Sequence, residues 1–92
     1  MRYTYKIEPN GTKEWFLNGI LHREDGPAIE WPHGAKDWYF HGDLHRESGP
    51  AIEEPNGYKA WWLNNRLMGE WDEPENWDEL VVLAQVERIM ND

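Results

Sequence analysis

Two dipeptides carry the side chains best suited to chemistry, His22-Arg23 and His45-Arg46, and they lie 23 residues apart. Imidazole ligates metals and moves protons near neutral pH, and guanidinium grips carboxylates and phosphates. If the pairs hold equivalent places in neighbouring β units, they stand two strands apart, roughly 10 Å. Zinc–nitrogen bonds are only ~2.0–2.1 Å long, so His22 and His45 cannot share one ion in that geometry. The expected role is structural, with His and Arg bonding a turn and nearby carboxylates such as Glu24, Glu30, Glu47 and Glu53. His33 and His41 fall in turn sequences beside Gly34 and Gly42.

Covalent chemistry has little to work with. The chain has no cysteine, and its one serine, Ser48, precedes Gly-Pro where Asp25 does 23 residues earlier. A residue interchangeable with Asp in that slot reads as a turn former, whereas a nucleophile needs a base within reach. Acidic residues are abundant, but no pair is singled out for acid–base work. No glycine-rich phosphate loop is present. The chain is expected to be non-enzymatic, with no metal and no cofactor.

The elements behind these residues follow a repeat. Gly11, Gly34 and Gly57 keep a 23-residue step, as do Trp15, Trp38 and Trp61, and Leu21, Leu44 and Leu67. Residues 11–33 and 34–56 are identical at 14 of 23 positions, and a third copy from 57 fades after Leu67, with Met68-Gly69 replacing His-Arg. Terminal copies of a stack are commonly atypical. Trp15-Phe16-Leu17, Trp38-Tyr39-Phe40 and Trp61-Trp62-Leu63 favour strands. Asn18-Gly19, His41-Gly42 and Asn64-Asn65 then supply hairpin turns. Pro9, Pro32 and Pro55 open further turns at the junctions. The fold class is mainly β: an elongated antiparallel meander of stacked 23-residue hairpin repeats, ending in an α-helix. One domain spans 1–92, with a repeat body over 1–69 and an acidic linker and capping helix over 70–92.

The pattern Trp-x-x-x-Gly-x-x-His-Arg-x-x-Gly-Pro-Ala, present twice, resembles MORN-type repeats in a variant form over about residues 5–69. The Leu-His-Arg-x-x-Gly-Pro-Ala version looks like repeats of small bacterial and bacteriophage proteins. That resemblance implies hairpins stacked into a twisted sheet, and scaffolding or binding with no reaction.

Composition bounds the partners. The 92 residues carry a net charge of −9. Residues 1–69 hold ten acidic and eight basic side chains, whereas 70–92 hold eight acidic and only Arg88. This balance disfavours nucleic-acid phosphates and anionic membranes. No apolar run approaches the ~18–20 residues of a membrane span, and no signal-peptide core follows Met1, so a cytoplasmic protein is expected.

A helix is expected over about 75–91, with Pro74 at its first position and Asp72 or Glu73 as cap. Val82, Val86 and Ile89 form one helical face flanked by Leu83 and Met90, and that face is expected to lie on the sheet. Side chains alternate along strands, so Phe16, Tyr39 and Trp62 face away from Trp15, Trp38 and Trp61. A helix of this length covers one face only. Trp15, Trp38 and Trp61 are expected in the core, whereas Phe16, Tyr39 and Trp62 are either packed in the sheet's curl or a protein-binding stripe. Residues 70–79 hold six carboxylates in ten positions. Beyond solvation and capping, Asp72, Glu73, Glu75, Asp78 and Glu79 offer a negative patch to a basic partner protein. The expected function is a protein-binding module using these residues. The alternative is a phage-type acidic inhibitor that blocks a nucleic-acid-binding enzyme of host defence, as anti-CRISPR or anti-restriction proteins do. Sheet edges or the open aromatic face also allow a homodimer.

Overall fold

Each apolar triplet runs into a two-residue turn whose backbone is left-handed at both positions. The φ angles are 52° and 80° at Asn18-Gly19, 49° and 86° at His41-Gly42, and 49° and 67° at Asn64-Asn65. This is type I′ geometry, whose twist matches the strands it joins and which Asn and Gly adopt at least cost. The computed structural model describes residues 1–91. Its strands are β1 (Tyr3–Ile7), β2 (Lys13–Leu17), β3 (Ile20–Leu21), β4 (Ile29–Glu30), β5 (Lys36–Asp37), β6 (Tyr39–Phe40), β7 (Asp43–Leu44), β8 (Ile52–Glu53), β9 (Lys59–Leu63) and β10 (Arg66–Glu70), followed by α1 (Trp77–Met90).

Hydrogen bonding runs in the order β1-β2-β4-β5-β8-β9-β10, with β3 against β2 and β6 paired to β7. All pairings are antiparallel. Backbone bonds also join one hairpin to the next. The Gly42 amide donates to the Leu21 carbonyl at 2.8 Å, and 23 residues on the Asn65 amide donates to Leu44 at 3.0 Å. The fold is thus mainly β and antiparallel with a C-terminal helix, in a slab of 40 × 35 × 17 Å.

Register assigns the faces. Phe16 stands opposite Leu21, Tyr39 opposite Leu44 and Trp62 opposite Leu67, all on one face. Trp15, Trp38 and Trp61 alternate onto the other. The helix lies on this second face, where Trp61, Leu63, Trp77 and Ala84 form the buried cluster and Met68, Leu80 and Val81 pack against it.

The helix departs from the sequence expectation in two ways. It begins at Trp77 after Asn76, which makes no side-chain cap bond. Neither Asp72 nor Glu73 caps it, because Pro74–Trp77 forms a turn closed by the Trp77 amide on the Pro74 carbonyl at 3.1 Å. The second departure is rotation. Val82, Leu83, Val86, Ile89 and Met90 are all exposed, Ile89 at 75%, whereas Trp77 and Ala84 are buried. The anchor is the Trp77 indole, whose Nε1–H donates to the Glu47 carbonyl at 2.9 Å. Asn64 then donates to the Ala84 carbonyl at 3.0 Å, and the small Ala84 side chain lets the helix approach the sheet closely. One large aromatic ring with a bonded N–H outweighs three valine-sized side chains in setting which face turns inward.

Trp77→Ala is therefore expected to cost ~3–5 kcal/mol in urea unfolding, whereas Val86→Ala on the exposed face should cost under about 1 kcal/mol. Similar losses for the two variants would refute this orientation.

Candidate functional site

The His-Arg pairs serve the turns. His22 is 1% exposed, and its Nδ1 accepts the amide of His41, the first turn residue of the next hairpin, at 2.9 Å. His45 repeats this with the amide of Asn64 at 3.0 Å. A backbone N–H can only donate, so each Nδ1 must present its lone pair and the neutral ring carries its proton on Nε2. That proton points from His45 to Glu47 at 3.0 Å, and from His22 toward Glu24 at 3.7 Å. Phe40 has the two imidazoles on either side in sequence, with ring centroids 4.7 Å from His22 and 5.9 Å from His45. Burial pushes both histidines below their ordinary pKa. The neighbouring His41 adds to this for His22, and the glutamates oppose it.

The arginines lie over the repeat tryptophans. The Arg23 guanidinium carbon is 3.9 Å from the centre of the Trp15 ring, and that of Arg46 is 3.8 Å from Trp38. Each also donates to a proline carbonyl and a glutamate: Arg23 to Pro27 and Glu30, Arg46 to Pro50 and Glu53. The other side of each guanidinium is closed by glycine. A Cβ on Gly26 would sit 2.9 Å from the Arg23 guanidinium carbon, and one on Gly49 3.1 Å from that of Arg46. The Gly-Pro of the repeat is thus the lid of an Arg–Trp stack. In the last copy Met68 and Gly69 take these positions. Met68 forms a bulge against the core cluster, and Gly69 leaves room for Pro74 on the way to the helix.

Between the two arginine loops lies an open cleft of ≈ 690 Å³, lined by Arg23, Trp38, Phe40, His45, Arg46 and Ser48 among others. Its cationic groups are already bonded to Glu30 and Glu53, and His45 uses both ring nitrogens on Asn64 and Glu47. Ser48 is exposed and makes no hydrogen bond with His45 among the described residues. No three His, Asp or Glu side chains converge as metal ligands among the described residues.

The residues singled out from sequence for partner binding fall into two separate groups. Phe16, Tyr39 and Trp62 are half-buried on the face opposite α1, each beside its leucine. Burial, then the nearby Asp37 carboxylate, raises the Tyr39 hydroxyl pKa. Burial also raises that of Asp37, although the Trp31 indole N–H, 2.9 Å away, partly offsets it. Asp72, Glu73 and Glu75 occupy the exposed segment between β10 and α1, and Asp78 and Glu79 the exposed first helical turn. None of these five forms an ion pair among the described residues. The aromatic stripe and the helical carboxylates lie on opposite sides of the sheet and do not make one site. Sequence reasoning left out Leu21, Leu44 and Leu67 as members of the stripe. A two-residue turn at 18–19 places 16 opposite 21, so the turn motif itself contained that signal.

Compared with known proteins, the chain matches no family model, no curated protein and no solved structure.

Two outcomes follow from this geometry. Arg46→Lys is expected to cost ~1–2 kcal/mol in urea unfolding, because an ammonium cannot both stack on Trp38 and reach Pro50 and Glu53. For pH, the folded histidines bind protons less readily than unfolded ones. Their contribution to stability is full above about pH 6.5 and is lost as pH falls through that value toward the depressed folded pKa. The melting temperature should drop between pH 7.5 and 5.5. The double variant His22→Asn/His45→Asn, which keeps an acceptor that does not titrate, should flatten that drop, and an unchanged slope would exclude the histidines as its source.

Proposed function

We propose that this chain is a non-enzymatic protein-binding module of MORN-like repeat type whose recognition surface is the sheet face opposite α1. One observation carries the reading. The helix covers Trp61 and Leu63 on one face, while the Phe16–Leu21, Tyr39–Leu44 and Trp62–Leu67 pairs have no helix over them. Leu67 is 46% exposed. Aromatic side chains on a rigid sheet lose little conformational freedom on binding and are frequent hot spots. The resemblance of the repeat to binding scaffolds points the same way.

A second reading rests on Asp72, Glu73, Glu75, Asp78 and Glu79, which are exposed and free of ion pairs among the described residues. Such a patch suits a basic surface, including that of a nucleic-acid-handling enzyme blocked by a phage-type inhibitor.

The test is affinity capture of cellular partners, with three forms of the protein compared at 50 and 300 mM salt, between which the Debye length shrinks from roughly 14 to 6 Å. Tyr39→Ser/Leu67→Lys should lose the partner kept by the wild type, at either salt concentration and with the melting temperature within a few degrees of the wild type's. Lysine at all five acidic positions should leave it bound. The opposite pattern, with binding weakened by salt, would replace the first reading with the second.

A further inference from the structure

The array has two outer strands, and they end differently. On β10, Met68 bulges, Arg66 is tied to Glu87 of α1, and Glu70 accepts from the Tyr58 hydroxyl. Each of these features discourages a further strand. By contrast, β1 is five residues long, pairs in full register with β2 without a bulge, and is exposed at every position. Its apolar side chains Tyr3, Tyr5 and Ile7 are 59%, 50% and 58% exposed.

The direction of its backbone groups is set by its bonds to β2. The Asn18 amide donates to the Arg2 carbonyl at 2.7 Å, and the Glu8 amide to the Thr12 carbonyl at 2.8 Å. Antiparallel ladders alternate, so Thr4 and Lys6 also turn their amide and carbonyl toward β2. Tyr3, Tyr5 and Ile7 turn theirs outward to the open edge. Unpaired strand groups of this kind are a template for another strand.

We propose that β1 pairs antiparallel with β1 of a second copy, about a two-fold axis at Tyr5. In this register Tyr5 faces Tyr5, Tyr3 faces Ile7, Thr4 faces Lys6 and Arg2 faces Glu8. The outward-turned residues become the hydrogen-bonded pairs, each exchanging two N–H···O bonds. The apolar residues meet one another, and two opposite-charge pairs close the ends. Neighbouring registers are poorer. With Thr4 on the axis Arg2 faces Lys6, and with Lys6 on the axis the two Lys6 face each other and Tyr3 meets Pro9. With Ile7 facing itself, Tyr5 meets Pro9, which has no N–H to give. With Tyr3 facing itself, Arg2 faces Thr4 and the Arg2–Glu8 pairs are lost. Charge favours the contact as well. The acidic excess belongs to residues 70–92 in the sequence, and the helix of that segment packs on Trp61 and Leu63 of β9, far along the strand order from β1, whereas β1 and its flanks carry Arg2 and Lys6 against Glu8. The axis is normal to the sheet, so the faces opposite α1 of both copies lie on the same side and their aromatic stripes double.

Sedimentation velocity over a concentration series of the whole chain tests this, with paired charge reversals. The wild type should dimerise reversibly. Arg2→Glu alone and Glu8→Arg alone should each weaken the dimer roughly tenfold, since like charges then stand opposite. Mixing these two variants should restore dimers, because both end pairs become complementary again. Hydrogen exchange on the unaltered protein gives a second readout that needs no variant. The Tyr3, Tyr5 and Ile7 amides should gain protection as concentration rises, while the Thr4, Lys6 and Glu8 amides should not change. A chain that stays monomeric at ~1 mM, or whose dimer is indifferent to the reversals and leaves these three amides unprotected, overturns the proposal.

Discussion

In the second and third left-handed turns the first amide needs an acceptor, and a buried imidazole from the preceding hairpin provides one. His22 serves His41 in this way, and His45 serves Asn64. Much else follows from that bond. The ring must be neutral and in a single tautomer, it must be buried, and the next hairpin must sit at one height against it. With the imidazole fixed, the following residue turns toward the Trp of its own hairpin, and the Arg stacks there beneath a glycine. The motif His-Arg-x-x-Gly-Pro is thus a single packing unit in which the histidine faces the next hairpin and the arginine holds its own together.

The last hairpin shows the same logic by contrast. No fourth turn follows, so an acceptor in the histidine position would have nothing to bond, and Met68 fills it with apolar volume. The helix takes over the role of a neighbour. Asn64 donates to the helix through its amide side chain while its backbone still donates to His45. Arg88 of the helix lies over Phe40, its guanidinium carbon 4.8 Å from the ring centre, with Asp43 nearby.

The strands, their turns and the two faces could be read from the sequence because they depend on local rules. Left-handed Asn and Gly set the hairpins, and alternation from Trp15-Phe16-Leu17 sets which ring points where. The glutamate partners of Arg23 and Arg46 were also within reach of the spacing. The helix rotation was not, because apolar periodicity ranked Val82, Val86 and Ile89 above Trp77, which stands among carboxylates. Its burial depends on a carbonyl 30 residues earlier, at Glu47, and no local pattern encodes that contact. The separation of the aromatic stripe from the acidic residues follows from the same anchor, since Trp77 holds the first helical turn to the Trp61 side.

The interlock between hairpins is directional, with an acceptor offered forward to the next hairpin and a donor offered back to the previous one. The middle copy is therefore a repeatable unit, held by its two neighbouring hairpins and by the helix that reaches its Asp43 and Glu47. Duplicating residues 34–56 would insert a segment whose leading turn fits the histidine before it and whose own histidine fits the turn after it. The breadth of the sheet is in this sense quantised. Gene duplication in register can widen the sheet face opposite α1 one aromatic–leucine pair at a time without redesigning either end.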